Sequence, residues 1–156
     1  MYPTSLDHIA LWVADRDAIA EFAVAHLGMH VIDRTERFTL VGSNARRGKL
    51  TLFEADGPRE PDALAAIGLR VNDLERAMAA LPEGYEAEFD VGEGLRIHLV
   101  EAETVVDYDL DHVALRTVDP EAAAEQWQAL GFSSASPMGE TLRVEVAGAF
   151  LELWPV

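Results

Sequence analysis

Residues 6–11 read Leu-Asp-His-Ile-Ala-Leu, and residues 110–115 read Leu-Asp-His-Val-Ala-Leu. No other feature of the chain constrains its fold as strongly. Each phrase is followed at the same offset by an aspartate, Asp15 and Asp119, and then by a helical stretch ending in Leu-Gly, Leu27-Gly28 and Leu130-Gly131. A phrase repeated together with its downstream context implies duplicated modules. It also presents two imidazoles, His8 and His112, in equivalent places, and such pairs are common raw material for metal sites.

The pattern around each phrase predicts the module. Residues 5–13 form an apolar, β-branched and aromatic run, a strand signal. Asp15 is a good N-cap for a helix through about His26, with Ile19, Phe22 and Ala23 on one face and Gly28 as its stop. Strand runs at 29–34, 37–43 and 48–54 follow, the last two separated by Gly42, Ser43 and Asn44. Residues 109–156 repeat the plan: a strand at 109–117, Asp119 as N-cap, Pro120 at the first helical position, a stripe of Ala123, Trp127 and Leu130, then strands at 132–136, 140–147 and 149–154. Turns fall at Pro137 to Gly139 and at Ala147-Gly148.

The middle of the chain is a degraded third copy. Residues 64–71 align with 6–13 at a shift of 58, and Asp73 caps a helix carrying Leu74, Ala77, Met78 and Leu81. Only two strand runs follow, 85–91 and 95–101, so this copy has lost a strand. Residues 55–63, with Pro58 and Pro61, and residues 102–108 read as linkers. The expected fold is α+β, built from βαβββ modules at 1–55 and 107–156 and a shortened βαββ module at 62–102, with helices outside.

Composition narrows the function classes. With no cysteine, disulfides, thiolate metal sites and cysteine nucleophiles are excluded. A net charge of −16 argues against nucleic acid or an anionic membrane as partner. No apolar run approaches the roughly 20 residues of a membrane-spanning helix, and the N-terminal residues lack a basic-then-apolar leader, so a cytoplasmic location is expected.

The Asp-His-(Ile/Val)-Ala-Leu strand openings, the Leu-Gly after each outer helix and Phe-Leu-Glu-Leu at 150–153 together resemble the vicinal oxygen chelate superfamily. That superfamily contains glyoxalases, extradiol dioxygenases and bleomycin-resistance proteins. The resemblance covers nearly the whole chain and implies paired modules forming open β-barrel clefts around a divalent metal, with one ligand from each module's first strand and one from its last. The first-strand positions here are His8, Ala66 and His112, and the last-strand positions are Thr51, His98 and Glu152. Pairing the first module with the third gives His8, His112 and Glu152. Pairing the second with the third gives His98, His112 and Glu152. Either set of two histidines and one carboxylate suits Fe(II) or Mn(II). Two copies of the third module, joined in a homodimer, would supply a glyoxalase-like set for Zn or Ni. The same resemblance makes Glu152 a candidate catalytic proton carrier, and the odd number of modules points to a homodimer.

Strand alternation also places basic groups in the cleft. Arg70 and Arg116 occupy the position of Trp12, and Arg96 and Lys49 precede the last-strand site by two residues. In so acidic a chain these predict an anionic or phenolic small-molecule substrate held by Arg70, Arg96 and Arg116, with Trp12 as an apolar wall. The resemblance implies a metalloenzyme acting on a catechol or a 2-oxo/hydroxy compound; the alternative is a metal-free ligand-binding protein of the resistance or sequestration kind.

Overall fold

The computed structural model describes residues 3–59 and 63–156. Part of the expected 55–63 linker, residues 60–62, therefore lies outside the described residues. The first module is β1 (His8–Val13), α1 (Arg16–His26), β2 (His30–Arg34), β3 (Phe38–Gly42) and β4 (Lys49–Glu54). The second is β5 (Leu64–Val71), α2 (Leu74–Ala79), β6 (Glu88–Asp90) and β7 (Arg96–Glu101). The third is β8 (Tyr108–Thr117), α3 (Pro120–Ala129), β9 (Ser136–Met138), β10 (Thr141–Val146) and β11 (Ala149–Pro155).

Local chemistry sets these elements. Asp15, Asp73 and Asp119 each cap a helix by accepting from a backbone N–H three residues on, at Ala18, Arg76 and Ala122. Gly28 ends α1 at φ +59, where a Cβ would also lie 2.7 Å from the Tyr108 ring. Along β1, Ile9, Leu11 and Val13 are buried while His8, Ala10 and Trp12 face out, the alternation that a half-covered strand requires.

Two predicted strands differ from those observed. The 132–136 run is not a strand, because Phe132 packs on Trp127 of α3 at 5.2 Å between ring centroids. The strand forms instead at β9, and Pro137 is tolerated there because β9 is an edge. The 85–91 run shortens to β6, with Tyr85 stacked on Phe22 of α1 at 6.0 Å.

In every module the first strand pairs in parallel with the last, as β1 with β4, β5 with β7, and β8 with β11. The modules then sort into two sheets. The first keeps its own four strands in the order β1-β4-β3-β2. The second and third share seven, in the order β6-β7-β5-β8-β11-β10-β9, joined where the first strands β5 and β8 run antiparallel. One face of the seven-stranded sheet, with Ile67, Leu69, Ile97, Leu99 and Val113, belongs to the core with Ala77 of α2 and Ala124 of α3. The other face carries the candidate site.

The first module is seated on the others by specific contacts. Ser43 Oγ donates to the Tyr108 carbonyl, and Arg47 pairs with Asp109 at 3.0 Å. The Glu93 carboxylate accepts from the backbone N–H of Ala14 at 2.6 Å, Asp15 at 3.0 Å and Arg59 at 3.2 Å. Among the described residues, no helix is long and apolar enough to cross a membrane.

Candidate functional site

Register fixes which side chains share the open face of the seven-stranded sheet. One row across it runs His98, Gly68, His112, Phe150, Glu145. The next contains Ala66, Ala114, Glu152 and Arg143. Arg116 and Trp154 pair beyond them. The middle of this face is thus floored by glycine and alanine, and larger groups stand around it.

His112 is the most constrained of these groups. The β5/β8 register slips between Gly68 and Leu69, so Asp111 is an extra residue on β8. A bulge of this kind breaks strict alternation, and it lets neighbouring Asp111 and His112 meet. His112 Nδ1 donates to Asp111 Oδ2 at 2.7 Å, and Arg70 Nε donates to Asp111 Oδ1 at 2.9 Å. Arg70 is itself held by the Gly148 carbonyl at 2.7 Å. Asp111 and His112 are both buried, at 5% and 6% exposure. Burial alone would raise the Asp111 carboxyl, but the hydrogen bonds from His112 and Arg70 outweigh it and hold the group below its ordinary value.

The His112 ring lies across Gly68, where a Cβ would come within 2.1 Å of Cε1 and Nδ1. It stacks on Phe150 at 4.7 Å and 14°, and it meets His98 edge-on at 5.9 Å. The Arg143 guanidinium sits 3.7 Å from the Phe150 ring centre. His112 therefore leans over β5 toward β7. Glu152, on the β11 side, accepts instead from the Thr141 hydroxyl of β10 at 3.2 Å.

The residues of the ligand sets suggested by the sequence fall in different places. His8 lies on β1, in the four-stranded sheet, with its Nδ1 on Asp7 at 2.9 Å, so it does not join His112 and Glu152 within the chain. The outer edge of β8 is taken by β5, which closes it to a second third module. His98, His112 and Glu152 share one face, but among the described residues no three histidine, aspartate or glutamate side chains converge as a metal site would need. Glu152 is bonded to Thr141 of β10, while His112 is bonded to Asp111 and meets His98 edge-on.

The basic residues divide in the same way. Arg96 and Arg116 line one cavity of about 320 Å³, together with Arg59, Asp90, Glu93 and Gly94. Arg59 and Arg116 both donate to the Leu64 carbonyl, at 3.0 and 3.2 Å. Arg70 is committed to Asp111, and Trp12 lies in the other sheet against Phe53 at 5.1 Å. Trp154 packs on the alanine floor of Ala65, Ala66 and Ala114, and among the described residues its buried Nε1 has no hydrogen-bond partner. Sequence reasoning missed Asp111, Gly68 and Arg59. The aspartate before each repeated histidine was the available signal for Asp111.

Comparison with known proteins agrees with this architecture. Residues 5–106 match the model of the Glyoxalase/Bleomycin resistance protein/Dioxygenase superfamily. No curated protein sequence matches the chain significantly. Among solved structures, a putative dioxygenase from Bacillus subtilis superposes with a TM-score of 0.79 at 16% identity, over 99% of this chain and 64% of that one. Glyoxalase I from Zea mays gives 0.70 at 14% identity, over 96% and 67%. A variant of 4-hydroxymandelate synthase from Streptomyces coelicolor gives 0.52 at 14% identity, over 96% and 69%. The chain thus spans about two thirds of the length of these solved proteins. With its repeated modules, its first-to-last strand pairing and a family match over most of its length, this chain belongs to the Glyoxalase/Bleomycin resistance protein/Dioxygenase superfamily.

Proposed function

We propose that the open face of the seven-stranded sheet binds a small anionic or phenolic molecule, and that this chain is a metal-free ligand-binding member of its superfamily. The observation that carries this reading is the cavity lined by Arg59, Arg96 and Arg116 beside Asp90 and Glu93, with Arg96 paired to Glu88 at 2.9 Å, in a chain of net charge −16. Guanidinium groups present planar pairs of donors that match a carboxylate or phenolate. Calorimetric titration with small aromatic carboxylates and phenolates tests the reading. Arg96→Ala and Arg116→Ala are each expected to weaken the best ligand by at least about tenfold, the worth of one charge-assisted hydrogen bond. Absence of binding across the panel, or unchanged affinity in both variants, refutes it.

A second reading, a metal-dependent enzyme acting on a vicinal-oxygen substrate, is favoured by the Asp111–His112 pair. A carboxylate on one ring nitrogen is the usual support of an imidazole that ligates a metal or moves a proton. Elemental analysis of protein purified without chelator, beside His112→Ala, separates the readings. Stoichiometric metal that is lost in the variant would favour the enzyme.

A further inference from the structure

A cavity of about 250 Å³ lies where the three modules meet, walled by the last turn of α1, the junction of β5 with α2 and the start of β8. No residue lining it belongs to the open-face rows or to the cavity of Arg59, Arg96 and Arg116. Bonds between modules hold its walls. His26 Nδ1 of α1 donates to the carbonyl of Ala80, the C-cap of α2, at 2.9 Å. The Tyr108 ring of β8 packs against the backbone of Gly28, which ends α1. Walls fixed in this way are organised before any ligand arrives.

The cavity brings together charges of both signs that do not pair. Arg34, Arg47, Arg70 and Arg96 each meet a carboxylate. Among the described residues, the Arg76 guanidinium and the Asp107 carboxylate make no ion pair or hydrogen bond, although both border this cavity. Asp73 gives one carboxylate oxygen to the backbone N–H of Arg76, at 3.1 Å, as the cap of α2. Its other oxygen is not used by the cap. Tyr108 is 7% exposed, and among the described residues its hydroxyl makes no hydrogen bond. Burial pushes that hydroxyl above its ordinary value, Asp107 adds to the rise and Arg76 opposes it, so both charges act on the phenol. The remaining lining is apolar, from Val24, Ala25, Val71 and Ala77, and Val24 is 45% exposed.

These groups select a ligand by charge and size. A simple anion suits Arg76 but is repelled by Asp73 and Asp107, and a simple cation suits the carboxylates but is repelled by Arg76. A zwitterion satisfies both through charge-assisted hydrogen bonds. At about 30 Å³ for each water-sized group, the volume holds about eight heavy atoms, the size of a small aliphatic amino acid. We infer that this cavity is a binding site for a small aliphatic α-amino acid, with its carboxylate on Arg76 and the Tyr108 hydroxyl, its ammonium on Asp107 and Asp73, and its side chain against Val24, Ala25 and Val71. Because all three modules contribute, occupancy stabilises their seating on one another.

Titrations of the full chain followed by amide NMR test the site, with L-valine, isobutylamine and isovalerate as probes. L-Valine is expected to saturate in the millimolar range and to raise the melting temperature, with shifts centred on Gly28, Asn72 and Tyr108. Isobutylamine lacks the carboxylate and isovalerate lacks the ammonium, so each is expected to bind at least about tenfold more weakly. Arg76→Gln is expected to weaken L-valine at least about tenfold without weakening isobutylamine. Asp107→Asn is expected to weaken L-valine and isobutylamine without weakening isovalerate. Both side chains lie at the surface, so the variants keep the fold. Arg96→Ala, in the other cavity, is expected to leave L-valine affinity within about twofold. The inference is overturned by absence of saturable shifts with L-valine or L-leucine up to about 50 mM. Shifts centred elsewhere, isovalerate binding as tightly as L-valine, or unchanged affinity in both Arg76→Gln and Asp107→Asn also overturn it.

Discussion

Gly68→Ala is the sharpest single test of how the site is held. The backbone at Gly68 has an ordinary extended conformation, so the demand for glycine there is spatial rather than torsional. A Cβ would stand 2.1 Å from two atoms of the His112 ring and 2.6 Å from a third. Ordinary contact needs roughly 3.5 Å or more, so the ring would have to move by more than an ångström. It has little room to do so, being stacked on Phe150 and bonded to Asp111 at 2.7 Å. Overpacking of a rigid site costs about 1–3 kcal/mol, and stretching a charge-assisted hydrogen bond adds about 1–2. The expected destabilisation is therefore about 2–4 kcal/mol, read as a lower urea midpoint at unchanged slope. Gly57→Ala, where a Cβ meets nothing within 4 Å, is the control and is expected to stay within about 0.5 kcal/mol. A double-mutant cycle identifies the cause. In a His112→Ala background the clash is gone, so Gly68→Ala should cost almost nothing. An equal cost in both backgrounds, or none in the unmodified protein, would refute the argument that His112 rests on the missing side chain.

Asp111 sets a pH dependence with a definite sign. Its folded carboxyl lies below its ordinary value, so its contribution is fully present above an unfolded pKa of about 3.9 and is lost as pH falls through the lower folded value. The stability gap between the unmodified protein and Asp111→Asn should accordingly narrow below about pH 4 in urea titrations, and a constant gap would contradict this. Glu93 supplies another test. Glu93→Ala strips the acceptor from three backbone N–H groups and is expected to cost about 1–3 kcal/mol in the same assay. Glu93 has φ 56, so Glu93→Gly should be less damaging than Glu93→Ala by about 1 kcal/mol.

What the sequence revealed and what it hid divide along physical lines. Periodicity and caps act over a few residues, so the helices behind Asp15, Asp73 and Asp119 could be placed from local signals alone. The alignment of His8, Ala66 and His112 was also legible, because each copy repeats the same strand phase. Which modules join is a non-local choice between nearly equivalent first strands, and no local pattern distinguished β1 from β5 as the mate of β8. The placement of Asp111 was hidden for a related reason. Simple alternation puts it on the face opposite His112, and only the slip against Gly68 and Leu69 brings the two together. Arg59 was missed because it sits in a stretch that reads as a linker, though its guanidinium reaches the Leu64 carbonyl at the mouth of the cleft. The direction in which Glu152 leans follows from Thr141 on a neighbouring strand, a partner that spacing along its own strand could not identify.

The pairing of each first strand with its last has a consequence for the order of assembly. The first module can complete its sheet once residue 54 has emerged from the ribosome, since β4 is its last member. The second cannot, because the far edge of β5 waits for residues 108–117. During that interval two uncovered strands of the same phase, β1 and β5, coexist in one nascent chain, each with the antiparallel seam unfilled. Zipping them together would be a kinetic competitor to the native arrangement, of the kind that multi-module chains meet during synthesis. The linker between them, the seating of α1 by Glu93 and the fit of an imidazole over Gly68 all bear on that competition. The rate at which the third module is delivered thus becomes part of what determines the fold.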